Sequence, residues 1–230
     1  MSDALKHIAF VLDGNRRWAR KQNLSTLFGH KSGYERVKTI TSLLPKYGIK
    51  YVTYYLFSME NWERTAEEVN YLLELFRNFF SVDDYVMRHS IRVKALGNLE
   101  KLPPDVFEKV KYLEDLTSSN TYLTVAMAIS YGGRDEIVRA TQKIVRDVME
   151  GRINIVELNE RIFASYLDTA GMPYPDAFVR TGEKRLSNFL IWQSAYAEIF
   201  FVDKLWPDFD ESDLEKIVLE FSQRERRYGK

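Results

Sequence analysis

The chain has 230 residues, and its 33 basic and 33 acidic residues give it a formal net charge of zero. It contains no cysteine, which excludes disulfides, a thiolate nucleophile and a thiolate metal site and fits a reducing, cytoplasmic location. The balanced charge argues against a nucleic-acid partner, because domains that bind nucleic acid usually carry a basic excess.

Strand-like and helix-like stretches alternate along the chain. The predicted strands are short apolar runs rich in β-branched and aromatic residues, at His7–Leu12, Tyr51–Phe57, Ile91–Leu96, Tyr122–Ile129, Ala177–Val179 and Ile199–Val202. The predicted helices lie at Gly33–Tyr47, Ala66–Phe80, Pro104–Leu116, Asp135–Glu150, Asn159–Leu167 and Glu211–Arg227, with a helical turn or two over Asn188–Tyr196. This alternation predicts an α/β fold, in which helices flank both faces of one mainly parallel six-stranded sheet. No linker or repeat interrupts the chain, so we expect a single domain over residues 1–230.

Polar loops follow four of the predicted strands. They are Asp13–Asn15, Ser58–Trp62, Tyr131–Arg134 and Arg180–Gly182. In open parallel sheets, ligands bind beyond the carboxyl ends of the strands. We therefore expect these loops to converge on one rim and to form the site.

The first loop, Asp13-Gly14-Asn15-Arg16-Arg17, has the chemistry of a diphosphate and magnesium site. A carboxylate at a strand end suits Mg²⁺, and Gly14 lets a backbone N–H approach a phosphate. Arg16 and Arg17 offer bidentate donors for phosphate oxygens. An ordinary Asx turn followed by solvated arginines explains this segment equally well. An Asp-led phosphoester hydrolase is a further alternative, but position 15 lacks the second Asp that a phospho-aspartate mechanism would use.

Two further segments carry weaker signals. Phe28–Gly33 is predicted to open the first helix, where His30 would donate to an anion at the helix N-terminus, although a capping or surface role is the more ordinary interpretation. In Ser58–Arg64, Arg64 can hold a phosphate, while Asn61 can orient a substrate or relay a proton through a water or a leaving group. The alternative for this segment is a capped helix start whose tryptophan packs on the sheet.

The strongest anion-binding signal is the segment Arg180–Asn188, which places three cations, a serine and a glycine at a predicted strand end. Glu198 follows it and offers a second carboxylate for a metal. Three histidines without cysteine argue against zinc. The helix Val69–Phe80 has an apolar stripe, which fits either an ordinary core or, less commonly, the wall of a lipid tunnel.

Together these motifs resemble the cis-prenyltransferase (isoprenyl transferase) family, close to the bacterial undecaprenyl diphosphate synthases. The resemblance runs from His7 to Arg227 and is carried by HIAFVLDGNRRWA, FGHKSG, LFSMENWER, ISYGGRDEIV, VRTGEKRLSNFLIWQSAYAEIFF, LWPDF and RERRYG. It implies a transferase that extends an allylic diphosphate, commonly farnesyl diphosphate, with isopentenyl diphosphate units and makes each new double bond cis. The product would be a long polyprenyl diphosphate such as undecaprenyl diphosphate, the precursor of a cell-wall lipid carrier. The implied fold contains a hydrophobic substrate tunnel, and the implied cofactor is Mg²⁺.

The resemblance also assigns roles by position. Asp13 would bind Mg²⁺ and assist departure of the allylic diphosphate, Glu198 would be the second metal ligand, and Asn61 would be the candidate for proton removal. The remaining residues would bind the two substrates: Gly14, Asn15, Arg16, Arg17, Trp18, Thr26, His30, Phe57, Ser58, Met59, Glu60, Trp62, Arg64, Arg180, Arg185, Leu186 and Ser187. The stripe on Val69–Phe80 would then be tunnel wall.

The chain departs from the family pattern at several of these positions. Arg16 stands where the family usually has glycine, and Thr26 where it often has arginine, which would remove one phosphate contact. Thr65 stands where the family often has proline. The loop Arg180–Arg185 is one glycine shorter than usual.

The resemblance implies a homodimer with its contact near the C-terminal strand and the arginine loop. Some relatives are non-catalytic partner subunits, but those tend to lose the first-motif Asp or the arginine loop, and both are present here. No signal peptide is visible, and no apolar run approaches the roughly 18 residues of a membrane span. We expect a cytoplasmic protein that touches the inner face of the membrane transiently when it releases its product.

Overall fold

The computed structural model describes residues 4–79 and 83–225. Six strands form one sheet in the order β3-β4-β2-β1-β5-β6, and every neighbouring pair is parallel. The strands are β1 (His7–Val11), β2 (Tyr51–Ser58), β3 (Ile91–Leu96), β4 (Leu123–Tyr131), β5 (Ala177–Thr181) and β6 (Glu198–Val202). The predicted parallel six-stranded α/β fold is confirmed.

Eight α-helices connect or follow these strands in the described part of the chain. They are α1 (Asn15–Lys21), α2 (Thr26–Leu43), α3 (Ala66–Phe79), α4 (Asp83–Arg88), α5 (Pro104–Leu116), α6 (Gly133–Met149), α7 (Glu160–Ala164) and α8 (Glu211–Gln223). The segment Asn188–Tyr196, predicted to contain a helical turn or two, forms hydrogen-bonded turns and bends instead. Arg227, the predicted end of the last helix, lies outside the described residues. Among the described residues, none of the helices is both long and apolar enough to cross a bilayer.

The largest error of the prediction concerns α1 and the start of α2. The structure has a helix over Asn15–Lys21 that was not predicted. Helix α2 begins at Thr26, seven residues before the predicted Gly33. Ser25 caps this helix start by accepting a hydrogen bond from the Phe28 N–H. Two glycines inside α2 explain the difference. A Cβ at Gly29 would lie 2.2 Å from the backbone oxygen of Asn15, and one at Gly33 would lie 2.4 Å from Asn15 Oδ1. These glycines are helical and allow α1 to pack closely on α2.

The sheet separates two apolar clusters, because alternate residues of each strand point to opposite faces. On the larger face, aromatic side chains pack together: Phe10 stacks on Tyr54 at 5.6 Å and contacts Trp206 and Phe209 at 5.7 Å each. The smaller cluster on the other face contains Ala9, Tyr55, Phe178 and Phe189. All strands are parallel, so their carboxyl ends form a single rim.

The buried His7 at the start of β1 gives a testable acid sensitivity. Its Nδ1 lies 2.8 Å from the Pro173 carbonyl oxygen and its Nε2 lies 2.9 Å from Thr53 Oγ1. Burial lowers the pKa of His7 to about 4 from 6.5. Between these two values the unfolded chain binds a proton that the native chain does not bind, so stability falls as the pH falls. This histidine alone should remove about 2 kcal/mol between pH 7 and pH 4.5.

Urea denaturation at the two pH values measures this effect. The His7→Gln variant should be less stable at pH 7, because it loses part of the buried hydrogen bonding, but its stability should decline less on acidification. Equal declines in the variant and the wild type would contradict an uncharged His7.

Candidate active site

A cavity of about 670 Å³ opens at the carboxyl ends of the strands. Many of the predicted site residues line it, from the loops after β1, β2 and β5 and from α2: Asp13, Asn15, His30, Ser58, Glu60, Asn61, Arg64, Arg180, Arg185 and Ser187. The expected convergence of the loops on one rim is therefore observed.

Arg180 joins the two loops that carry most of the charge. Its side chain is almost fully buried, and its Nη2 donates to Asp13 Oδ2 at 2.8 Å. Its Nη1 donates to Ser187 Oγ and to the Arg185 carbonyl oxygen. Arg17 lies on the other oxygen of the carboxylate, with Nη2 3.3 Å from Asp13 Oδ1. The first loop and the arginine loop thus form a single charged unit.

Two glycines shape this unit without lining the cavity. Gly14 has φ +112°, and a Cβ there would lie 2.7 Å from Leu205 Cδ2. Gly14 is therefore required for the turn and for packing, whereas the prediction gave it a phosphate contact. Gly182 has φ +72°, and a Cβ there would lie 2.8 Å from Arg17 Nη2. Arg17 also donates to the Gly182 carbonyl oxygen at 3.0 Å, so this glycine seats the arginine.

His30 does not stand at a helix N-terminus, which corrects the prediction for Phe28–Gly33. It lies within α2, and its Nε2 is 3.0 Å from Glu68 Oε1. The same carboxylate accepts a hydrogen bond from Arg64 Nη1 at 2.8 Å and lies 3.8 Å from Arg16 Nη1. Burial lowers the pKa of His30, so we assign a neutral ring that donates Nε2–H to Glu68. Burial alone would raise the pKa of Glu68, but the hydrogen bond from His30 and the charges of Arg64 and Arg16 outweigh it and lower that pKa.

Glu68 is not among the site residues predicted from the sequence. The available signal was its position four residues after Arg64 at the start of α3, a spacing that favours ion pairs on a helix. Its carboxylate fixes one histidine and two arginines that face or border the cavity. It is therefore the residue that orders this side of the site.

Replacing Glu68 with alanine should lower the free energy of unfolding by about 3 kcal/mol, because removing one partner of a buried ion pair leaves the others uncompensated. The matched control is Glu67→Ala, which changes an exposed carboxylate in the same turn of α3. This control should change the free energy by about 0.5 kcal/mol or less. Equal urea midpoints for the two variants would contradict the ordering role of Glu68.

The loop after β2 matches the alternative interpretation of a capped helix start. Asn61 Oδ1 accepts a hydrogen bond from the Ser58 N–H at 3.1 Å. The Trp62 ring packs on Phe57 at 4.9 Å, and its Nε1 donates to Ser130 Oγ at 3.0 Å. Phe57 is fully buried in the core. Asn61 lines the cavity, whereas Phe57 and Trp62 pack against each other and do not line it.

Several other predicted binding residues also lie off the cavity lining. Met59 lines a separate surface pocket with Trp62. Trp18 Nε1 donates to Asp208 Oδ1 at 2.6 Å. Thr26 is the first residue of α2. Leu186 and Arg16 are exposed.

Arg134 and Asn188 line the cavity but were not among the predicted site residues. The Asn188 backbone carbonyl accepts a hydrogen bond from the Gly133 N–H at 2.7 Å, and Asn188 Oδ1 accepts one from the Arg134 N–H at 2.9 Å. These contacts fasten the arginine loop to the start of α6. The position of the Tyr131–Arg134 loop after β4 was the signal that pointed to Arg134.

Glu198 is not brought to Asp13, which corrects the expectation of two metal ligands in one chain. It begins β6 in register with Ala177, and Ala177 is in register with Ile8 of β1. Glu198 therefore lies at the amino end of the sheet, about five residues or roughly 16 Å along the strand direction from Asp13. There its Oε2 accepts a hydrogen bond from Arg224 Nη1 at 2.8 Å. Within the described ranges, no cluster of three or more His, Asp or Glu side chains could hold a metal ion.

Two apolar cavities extend from the polar one towards the interior. A small cavity of about 70 Å³ shares Asn15 and His30 with the polar cavity and is also lined by Leu72 and Phe76. A cavity of about 450 Å³ follows it, shares Tyr34 and Val37 with it, and has a largely apolar lining. The three cavities thus adjoin one another along α2.

The helical stripe predicted on Val69–Phe80 packs in the core, and part of it also borders a cavity. Leu72 and Phe76 line the small apolar cavity, whereas Val69 and Leu73 pack in the core without lining it. Phe80 lies outside the described residues.

The fold and the site define an α/β protein whose basic rim leads into an apolar interior, an arrangement suited to an amphiphile with an anionic head. The chain belongs to the cis-prenyltransferase family: the family model described as putative undecaprenyl diphosphate synthase matches residues 11–229. The resemblance of the sequence motifs to this family is thereby confirmed.

Relatives and solved structures agree with this assignment. The chain is 44% identical to an isoprenyl transferase of Treponema denticola, over 100% of this chain and 99% of the relative. It is 42% identical to the ditrans,polycis-undecaprenyl-diphosphate synthase ((2E,6E)-farnesyl-diphosphate specific) of Micrococcus luteus, over 97% of this chain and 91% of the relative. The structure of lavandulyl diphosphate synthase from Lavandula x intermedia in complex with dimethylallyl diphosphate superimposes with a TM-score of 0.94 and 33% identity, and the match covers 98% of each chain.

Proposed function

We propose that this chain condenses isopentenyl diphosphate units onto an allylic diphosphate, farnesyl diphosphate, and makes a long cis-polyprenyl diphosphate of the undecaprenyl class. Such a product would serve as the precursor of a cell-wall lipid carrier. The observation that carries the proposal is the contact of Arg180 with both Asp13 and Ser187, at the mouth of a cavity that leads into two apolar ones. The farnesyl-diphosphate-specific relative from Micrococcus luteus supports the choice of starter.

The two loops divide the binding of the substrates. The Asp13 loop, with Asn15, Arg17 and His30, would take the allylic diphosphate, and Arg185 and Ser187 would take isopentenyl diphosphate. Arg180 stands between them. Its Nε is buried and has no hydrogen-bond partner among the described residues, so it offers a preformed donor to a phosphate oxygen.

The charge that develops on the leaving diphosphate is stabilised by groups that are already in place. Arg180 is fixed by three hydrogen bonds before any substrate binds. Preorganised cations of this kind stabilise a leaving anion without the cost of reorienting water. The apolar cavities beside them exclude water from the allylic cation, which water would quench.

The residues of the site fit Mg²⁺. Asp13 presents a partly exposed carboxylate to the cavity, and Mg²⁺ commonly uses one or two carboxylates together with substrate phosphate oxygens and water. We therefore assign Asp13 as the protein ligand. When bound, the ion would neutralise charge on the departing diphosphate.

Asn61 would orient isopentenyl diphosphate and would not act as the base itself. An amide is a poor general base, and one lone pair of its Oδ1 already accepts the Ser58 N–H. In the condensation, the allylic C–O bond breaks, a C–C bond forms, and the new allylic unit loses one proton. The departed diphosphate, held beside Asn61 by the arginines, would accept that proton.

A homodimer through β6 is part of the proposal. The opposite edge of the sheet is closed, because side chains of Thr117 and Glu114 accept outward N–H groups of β3 and that of Asp168 accepts the N–H of the residue that follows it, Gly97. On the β6 edge, Ile199 and Phe201 remain exposed. Glu198 lies on that same strand. We propose it as a metal ligand only for the active site of the partner chain in the dimer. Sedimentation of the purified chain tests the dimer.

The apolar interior favours a long product over a short one. Lavandulyl diphosphate synthase shares the fold, so the fold alone does not set the product. The cavity of about 450 Å³ beyond Tyr34 and Val37 gives this chain room for an extended tail. We place the protein in the cytoplasm, with contact to the inner face of the membrane when the product leaves.

Incubation of the purified chain with farnesyl diphosphate, isopentenyl diphosphate and Mg²⁺, followed by chromatography of the products, tests the function. A series of elongated cis-prenyl diphosphates is expected, and chelation of Mg²⁺ should stop it. A folded chain that makes no elongated lipid alone would overturn the proposal and favour a non-catalytic partner subunit. Release of phosphate from simple esters would favour the hydrolase alternative.

A further inference from the structure

One segment of this neutral protein, at the corner between α1 and α2, carries positive charge without any acidic residue. Residues 14–34 contain five arginines and lysines and no aspartate or glutamate. Arg16 and Arg17 belong to the site, but Arg20, Lys21 and Lys31 are exposed and form no ion pair with any described residue. Three cations are therefore left over at the turn between α1 and α2, and the proposed chemistry does not use them.

Apolar side chains project at the same corner. Leu24 is 40% exposed and Phe28 is 46% exposed, and neither lines any of the three adjoining cavities. The Phe28 ring stacks on Trp18 at 6.4 Å with an interplanar angle of 8°. The segment 22–25 that joins the two helices is exposed throughout. The corner thus combines a projecting leucine and an aromatic pair with unpaired cations.

The corner lies close to the opening of the cavity, because α1 packs tightly on α2. Gly29 allows α1 to approach α2 so closely that a Cβ would lie 2.2 Å from the Asn15 backbone oxygen. Arg16 and Arg17 occupy the first turn of the same α1 whose last turn carries Arg20 and Lys21. A surface that docks at this corner would therefore lie beside the opening of the cavity.

We propose that the α1–α2 corner, formed by Arg20, Lys21, Leu24, Phe28 and Lys31, docks the protein on an anionic lipid bilayer. Lysines and arginines near an anionic membrane each strengthen binding about five-fold, and exposed aromatic and aliphatic side chains insert at the headgroup level. A second copy of the chain fits less well, because a symmetric contact would bring the same cations face to face. The use of the α1–α2 corner in delivering the lipid product rests on the proposed function, whereas the docking of the corner on a bilayer does not.

The test is co-sedimentation of the purified chain with vesicles of phosphatidylcholine alone or with about 30% phosphatidylglycerol. The variant Arg20→Ala/Lys21→Ala/Leu24→Ser removes two cations and one apolar side chain outside the proposed binding machinery. A matched control, Lys143→Ala/Arg146→Ala/Val145→Ser, removes the same kinds of exposed side chain from α6. We expect selective binding to the anionic vesicles, weakened at least 25-fold by the corner variant and less than three-fold by the control.

Other outcomes would overturn the inference. These are no binding by the wild type, equal binding to neutral vesicles, equal loss in both variants, or a corner variant whose oligomeric state changes in sedimentation, which would point to a second copy. Thermal unfolding of both variants checks that they fold. Prenyl transfer with soluble substrates is a separate readout: an inactive chain that still binds anionic vesicles through the corner would overturn the proposed function and support the docking surface.

Discussion

Replacing Asp13 with alanine should lower kcat for chain elongation by about 1,000-fold. The carboxylate contacts Arg180 at 2.8 Å and Arg17 at 3.3 Å and is the ligand proposed for Mg²⁺ in the chain's own site. Its loss removes the oxygen ligand proposed for Mg²⁺ and leaves the guanidinium of a buried arginine without its anion. Losing about 4 kcal/mol of transition-state stabilisation corresponds to a factor of about 1,000. Steady-state incorporation of labelled isopentenyl diphosphate measures the effect.

Two further variants give this prediction a sharp control. Asp13→Asn keeps the size of the side chain and removes its charge, so it should lose nearly as much activity as the alanine. Asp203→Ala removes an exposed carboxylate just beyond β6, whose nearest cation is Lys184 at 3.6 Å, and should change kcat less than two-fold. A loss of less than ten-fold for Asp13→Ala would remove this residue from its proposed role.

The sheet could be predicted because its strands are short apolar runs punctuated by polar loops. Ile91–Leu96 and the helix Pro104–Leu116 have the predicted bounds, since both elements are bounded by local signals in the sequence. The rule that parallel strands end at one rim then brought Asp13, Asn61 and Arg180 together correctly.

The failures share a physical cause, which is that contacts distant in sequence overrule local signals. The prediction begins the first helix at Gly33, but Gly29 and Gly33 lie inside α2, where the absence of a side chain is needed for the contact of α1 with α2. Glu68 shows only its spacing of four from Arg64 in the sequence, because its other partner, His30, lies 38 positions away. The place of Glu198 depended on the register of β6, which motif spacing does not report.

Replacing Arg180 with lysine should lower kcat/KM for isopentenyl diphosphate by about 100-fold, even though the charge is kept. The guanidinium uses its two terminal nitrogens at once, with Nη2 on Asp13 and Nη1 on Ser187 and the Arg185 carbonyl oxygen. A lysine ammonium is a single point and cannot reproduce that planar fork. Loss of two charge-assisted hydrogen bonds, about 1.5 kcal/mol each, accounts for the factor.

The exposed Lys184 of the same loop is the comparison. Its change to alanine should alter kcat/KM less than three-fold, because among the described residues its amine pairs with Asp203, at 3.6 Å, and with no group of the site. Since Asp13 and Arg180 touch, their substitutions should not be additive: Arg180→Lys in an Asp13→Ala background should cost less than ten-fold further. An additive double variant would mean that the two residues act independently. In that case the two loops would bind their diphosphates separately, and the buried guanidinium would not be the group that couples departure of one diphosphate to attack by the other substrate.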